Sequence, residues 1–328
     1  MELILNSYGS MLTKDTENFL ITTPDGERQR IHPETLRSIQ ICRGAQISSD
    51  AVILAIQHEI DVLFVDAKGN PYGRIWSNRY GSVSTIRKNQ ISFTFSSHAV
   101  AWIKQILMEK IANQQALLLS LPVTDPALEK ETDRAVAKME DYRTKVAGIT
   151  GEIVSDIAPS LRGWEGASSR LYFQIISKTL PEPYRFVQRS QNPAKDLFNC
   201  LLNYGYGMLY GKVESALIKA GIDPYVGVFH RDDYNRPVLV FDVIEKFRVW
   251  IDFVVIALVR QEVIDEDAYS VAADGSYWLE GLGKRILIQS VNDYLDEVIP
   301  IKAKQRSRIS HLNDFAASFA QHLLQLKF

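Results

Sequence analysis

The sequence predicts an α+β protein: a small N-terminal β-rich domain followed by a larger all-α domain. Three observations carry this prediction. Residues 1–76 break into short apolar runs separated by turn residues. From His98 onward the apolar residues recur every three or four positions, the helical period. The 328-residue length suits about two domains, and a 46% hydrophobic composition supplies apolar material for a core in each.

In the first domain LILNSY, SMLTK, NFLITT and RQRIH read as strands, with Pro24-Asp25-Gly26 turning the chain between the last two. SIQICR is a further short strand. Ser48-Ser49-Asp50 offers an N-cap for a helix through AVILAIQHEI. DVLFVD and PYGRIW, split by Lys68-Gly69-Asn70, close the unit as a hairpin. Residues 77–96 are polar and basic, carry Gly and Ser, and read as a linker. The all-helical domain spans 97–328. It opens with AVAWIKQILMEKIANQQALLLSL and the charged stretch 126–158, and helical patterns follow over 165–178, 193–219, 240–262, 280–297 and 308–326. Short strands also fit around 226–229 and 238–241.

Composition excludes several classes. The two cysteines, Cys42 and Cys200, form no CxxC pair, so the chain carries no disulfide framework and fits a reducing, cytoplasmic setting. The N-terminus lacks the basic and apolar regions of a signal peptide. The most apolar run, 249–259, is too short for a membrane span and is interrupted by Asp252. A formal charge of −2 does not advertise nucleic-acid binding, but the distribution of charge decides that question, not the sum. No GxxxxGK[ST], Rossmann GxGxxG or GxSxG motif is present.

The chemistry concentrates in GIDPYVGVFHRDDYNRPVLVFDVIEKFR, residues 221–248. His230 precedes Asp242 by twelve residues and Glu245 by fifteen. The two acids are three apart, so a helix places them on one face. Ionised groups among Val, Leu, Phe and Ile are costly unless paired or bound to a cation. Glu165, in GWEGASSRLYF, is a third acid in an aromatic and glycine setting. A histidine with carboxylates suits a divalent-metal phosphodiester site, which needs hard oxygen ligands and room for water and phosphate.

Each residue also has a plainer reading. Glu165 fits a first-turn helix acid, His230 a half-buried imidazole, Glu245 a surface partner of Arg248, and Asp242 an N-terminal helix acid. In DLFNCLLNYGYGMLY, Asn203 and Tyr204 are candidates to orient a ligand or phosphate, with Gly205 and Gly207 allowing a close neighbour. Lys302, Lys304, Arg306 and Arg308, with Arg79, Arg87 and Lys88 of the linker, form a candidate phosphate track. Asp232-Asp233 reads as turn chemistry beside His230. On the residues alone, three readings stay open: a metal-dependent nuclease, a non-catalytic DNA-binding scaffold with buried ion pairs, and an unrelated metal-dependent phosphoesterase.

The blocks GWEGASSRLYF, PAKDLFNCLLNYGYGMLY and GIDPYVGVFHRDDYNRPVLVFDVIEKFR, in this order, resemble the universal adaptation nuclease–integrase of CRISPR systems. LILNSYGSML, IHPETLRSIQIC and SSDAVILAIQHEIDVLFVDAKGNPYG extend the resemblance over almost the whole chain. The resemblance implies that the β-rich domain pairs two protomers and that the helical domain is catalytic. It implies Mg²⁺ or Mn²⁺ held by Glu165, His230 and Glu245, with Asp242 in support; Arg248, like Asn203 and Tyr204, is a candidate contributor to positioning. It further implies a DNA substrate (double-stranded fragments and a repeat array), a homodimer, and a small ferredoxin-like partner subunit. Two positions depart from the common pattern: Glu245 stands where aspartate is frequent, and Lys246 where many members carry proline.

Overall fold

The structure is a computed structural model that describes residues 2–36, 38–65, 71–75, 83–191, 193–230, 236–301 and 303–327. It divides into two compact units, Met1–Gly81 and Ser82–Phe328.

The first unit carries two sheets. One joins β1 (Glu2–Leu5), β5 (Ser38–Cys42), β7 (Asp61–Val65) and β8 (Pro71–Arg74) in the order β1-β5-β7-β8, parallel except for the last pair. The other joins β2 (Met11–Asp15), β3 (Asn18–Thr22), β4 (Arg28–Ile31) and β6 (Gln46–Ile47) in the order β4-β3-β2-β6. The two-residue alternation of the strands turns Leu3, Leu12, Phe19, Ile39 and Val62 into one core. Helix α1 (Ser49–Gln57) closes that core with Ala51, Leu54 and Ala55, and the Ser48 hydroxyl caps it by accepting the Ala51 N–H at 3.2 Å. Lys68-Gly69-Asn70 lies outside the described residues.

The second unit holds α2 (Val83–Thr94), α3 (Ser97–Ser120), α4 (Pro126–Gly148), α5 (Val154–Thr179), α6 (Leu197–Lys219), α7 (Val238–Ile244), α8 (Arg248–Arg260), α9 (Gly281–Asp296) and α10 (Arg308–Gln325). The structure differs from the sequence expectation here. Much of the 77–96 segment is helix α2, which buries Ile86, Gln90 and Phe93. A buried glutamine in the apolar stripe hides the helical period. Gln90 donates to the Asp223 and Val226 carbonyls at 2.7 and 3.2 Å and accepts the Asp223 N–H at 2.9 Å, so its polar atoms are satisfied. The unit is also not purely helical. Two small hairpins interrupt it, β9 (Tyr269–Val271) with β10 (Tyr277–Leu279) and β11 (Val298–Ile301) with β12 (Lys304–Ser307). Neither 226–229 nor 238–241 is a strand: the first is a bend and the second lies in α7.

Helices α7, α8, α9 and α10 pack on α6, whose Leu201, Leu202, Leu209 and Val213 are buried in the unit's core, while α3, α4 and α5 pack on one another. A Cβ on Gly205 would lie 2.5 Å from the Ile251 side chain, so glycine is what lets α6 approach α8. Gly207 has open space around it and carries no such constraint.

Candidate active site

Four helices of the second unit bring ionised side chains to one place. Helix α3 contributes Lys110 on the stripe Ile103, Leu107, Lys110, Gln114, Leu117, all buried. Helix α5 contributes Glu165 at its middle, not in its first turn. The short apolar helix α7 ends at Glu245, and α8 starts at Arg248 one turn later. The Lys110 ammonium, with a side chain only 7% exposed, contacts the Glu165 carboxylate and lies 2.5 Å from Glu245 Oε2. Arg248 Nε donates to Glu245 Oε1 at 2.9 Å, and the Ser169 hydroxyl donates to Glu165 Oε1 at 2.9 Å. Burial works against charge on Glu245, but Arg248 and Lys110 outweigh it and hold the carboxyl down at about 2. Burial likewise opposes the Lys110 ammonium, and Glu245 and Glu165 together hold it above the ordinary lysine value.

Arg248 rests on an aromatic platform, its guanidinium 4.6 Å from the Tyr206 ring centre. The Tyr206 hydroxyl donates to Asp252 Oδ1, and the Tyr172 hydroxyl donates to Asp252 Oδ2 at 2.7 Å. Arg189 lies over the rings of Phe173 and Tyr206 and donates to Asn203 Oδ1 at 3.0 Å. Asn203 is therefore an internal brace, donating in turn to the Ser190 carbonyl at 3.0 Å. Burial raises the pKa of the Tyr204 hydroxyl, and it is Tyr206, not Tyr204, that connects α6 to the ion cluster.

His230 is held separately. The fully buried Asp242 carboxylate accepts the backbone N–H groups of Val228, Phe229 and His230 at 2.7, 3.0 and 2.9 Å. Its Oδ1 also lies 2.7 Å from His230 Nδ1. That pairing puts a proton on Nδ1 and leaves Nε2 as the nitrogen with a lone pair. Arg162, one turn before Glu165 on α5, donates to the Phe229 carbonyl at 3.0 Å and so ties the histidine segment to the helix that carries the glutamate. Asp232 and Asp233 lie outside the described residues. Asp242→Asn is expected to lower stability by about 1–3 kcal/mol, because an amide cannot accept all four bonds and a buried N–H loses its partner. Urea unfolding measures this, and a change below about 0.5 kcal/mol would show that the carboxylate does not hold the segment.

Among the described residues no three His, Cys, Asp or Glu side chains already converge on one point suited to a metal ion. Glu165 and Glu245 meet around the Lys110 ammonium, and His230 stands on Asp242. The pair nevertheless fits a divalent ion. Two carboxylates already share one cation, with the Lys110 ammonium 2.5 Å from Glu245 Oε2 and in contact with Glu165, and hard oxygens arranged around a cation position suit a divalent ion.

The basic residues are less free than their sequence suggests. Lys302 and Arg79 lie outside the described residues. Lys304 and Arg306, on β12, face Asp314 at 3.8 and 3.0 Å. Arg308 begins α10 and bonds Glu297 at 2.5 Å and the Tyr294 carbonyl at 2.9 Å. Arg87 and Lys88 are on α2.

The model of the CRISPR associated protein Cas1 family matches residues 3–293. The chain is 30% identical over 310 residues to the CRISPR-associated endonuclease Cas1 1 of Archaeoglobus fulgidus, covering 90% of this chain and 88% of that protein. Two solved structures share the fold. The chain aligns with a Cas6-RT-Cas1–Cas2 complex at a TM-score of 0.76 and 23% identity, over 98% of this chain and 35% of the other. It aligns with a casposase bound to integration product at a TM-score of 0.66 and 20% identity, over 99% and 96%.

Proposed function

Since the chain belongs to the CRISPR associated protein Cas1 family, we propose that it is a metal-dependent DNA endonuclease and integrase of CRISPR adaptation, inserting short double-stranded fragments into a repeat array. The observation that carries this reading is the pair of glutamates from separate helices, Glu165 and Glu245, gathered around one buried cation. The relative in Archaeoglobus fulgidus is named an endonuclease, and the casposase structure holds an integration product.

Glu165 and Glu245 would hold the metal, with His230 Nε2 as the nitrogen ligand. Their hard oxygen atoms suit Mg²⁺ or Mn²⁺. Once bound, such an ion polarises the phosphodiester and stabilises charge on its oxygens. The 3′-hydroxyl of the fragment attacks phosphorus at the edge of a repeat, and in cleavage a water takes its place. Asp242 would fix the His230 tautomer with the proton on Nδ1 and so keep the Nε2 lone pair available to the metal. Arg248 orients Glu245 by holding Oε1.

Insertion must address two strands, which favours a homodimer. Exposed Ile4, Phe64 and Tyr72 make the β-rich unit the candidate pairing surface. A small ferredoxin-like subunit would complete the assembly, in line with the Cas2 component of the related complex. Among the described residues no helix is long and apolar enough to cross a membrane, and the repeat-array substrate of this reading favours the cytoplasm.

A half-site strand-transfer assay with labelled duplex tests the reading. Joined product is expected with Mg²⁺ or Mn²⁺ and none with EDTA. Equal DNA binding with and without EDTA, and no product in either case, would identify a scaffold. Turnover of small phosphate esters without DNA cleavage would identify an unrelated phosphoesterase. For the DNA track, K304E with R306E is expected to weaken binding and flatten the slope of log affinity against log salt by about 2, at roughly 0.9 per phosphate contact. An unchanged slope would move the track elsewhere.

A further inference from the structure

We propose that Lys110 is a catalytic residue whose ammonium contacts an oxygen of the scissile phosphodiester and stabilises the charge that develops there. The inference rests on the nuclease–integrase reading above.

Lys110 is fixed near the middle of α3, and its ammonium lies at the shared point of the two glutamates that would hold the metal. A divalent ion on those glutamates must displace the ammonium from that point. The Lys110 side chain is nearly buried on α3, so an ammonium displaced from that point would stay beside the ion. That is where a phosphodiester must also arrive.

Glu165, Glu245, Lys110 and Arg248 form one chain of ion pairs whose four charges sum to zero. A divalent ion brings the cluster to two positive charges. The transition state of phosphodiester transfer carries two negative charges, so the loaded cluster matches it. Without Lys110 the match fails by one charge. Packing alone gives no reason for a lysine on a buried apolar stripe, because a hydrophobic residue of similar volume fills such a position without the desolvation cost. Arg248 is less suited to the role, since its Nε is committed to Glu245 and its plane to Tyr206.

The step is balanced without a further reagent. The attacking 3′-hydroxyl gives up its proton as its oxygen bonds phosphorus. The P–O bond to the leaving 3′-oxygen breaks, and that oxygen takes up a proton. Lys110 contributes electrostatic stabilisation and is unchanged at the end.

The test compares the full-length wild type, K110M and K110R. Mn²⁺ affinity is measured by titration calorimetry, and single-turnover strand transfer is measured at saturating Mn²⁺. K110M is expected to bind Mn²⁺ at least as tightly as wild type, because a competing cation is gone, yet to react about 100-fold more slowly, the loss typical of one preorganised electrostatic contact. K110R is expected to recover about tenfold. A K110M rate within about threefold of wild type overturns the proposal. So does a rate loss matched by an equal loss of Mn²⁺ affinity, which would make Lys110 a spacer for the glutamates. Should K110M fail to fold, K110A with added methylammonium replaces it: a rate that rises with the amine supports the role, and one that does not overturns it. A wild type with no metal-dependent product sinks the nuclease reading itself, whereas an active wild type beside an unimpaired K110M sinks only this assignment.

Discussion

Glu245→Gln is expected to reduce metal-dependent nicking and strand transfer by about three orders of magnitude, equivalent to roughly 4 kcal/mol of transition-state stabilisation. Glu165→Gln should act alike, since each removes a charged oxygen from the same cation position. The amide is the better replacement, because truncation confounds chemistry with folding. Glu245→Ala leaves Arg248 without its carboxylate partner and Lys110 with Glu165 alone, and breaking one partner of a buried ion pair costs about 3–5 kcal/mol. Urea unfolding of both variants beside the strand-transfer assay separates these effects. Glu245→Gln with near-wild-type activity would remove this residue from the metal site. The same group predicts a pH effect. Its folded pKa, about 2, lies below the ordinary value for glutamate, about 4.3. The stability it contributes is therefore complete above about pH 4.3 and is lost as the pH falls toward 2. In Glu245→Gln that acid-side loss should shrink.

Much of this architecture is legible in the sequence because period and turn chemistry are local properties. The change near His98 from short strands to a three-and-four spacing is what α3 builds. Asp242 and Glu245, three apart in an apolar run, announce that ionised groups must be accommodated in a core. The remainder depends on tertiary partners. Gln90 reads as linker polarity, because only its contacts with Asp223 and Val226 make it a core residue. Lys110 carries a faint signal, a cation on the stripe that runs from Ile103 to Leu117, but nothing in its neighbourhood names Glu165 or Glu245 as partners. The basic run 304–308 reads as a free cationic surface. Its pairing with Asp314 and Glu297 requires the β11–β12 hairpin to fold beside α10.

Asp252→Ala is expected to destabilise the second unit by about 3–5 kcal/mol. In the sequence this residue is simply the acid that interrupts the 249–259 run. In the fold it is buried and joins α5, α6 and α8 by accepting the Tyr172 and Tyr206 hydroxyls. Burial drives its pKa up, while the two tyrosine hydroxyls, Arg189 and Arg248 pull it down, with burial prevailing. Removing the carboxylate strands two buried hydroxyls and takes a countercharge from both arginines. Replacing the whole set is a different matter. Asp252→Leu with Tyr172→Phe and Tyr206→Phe removes donors and acceptor together, so it should cost clearly less than Asp252→Ala alone. Urea midpoints of the two variants decide between these outcomes. If Asp252→Ala falls within about 1 kcal/mol of wild type, the carboxylate is not what ties the three helices. The triple variant also isolates a functional consequence. Its phenylalanine at 206 keeps the ring under Arg248 but frees that ring from Asp252. Strand transfer that falls while stability holds would mean that the Asp252 anchor, through Arg248, helps aim Glu245 Oε2 at the cation position.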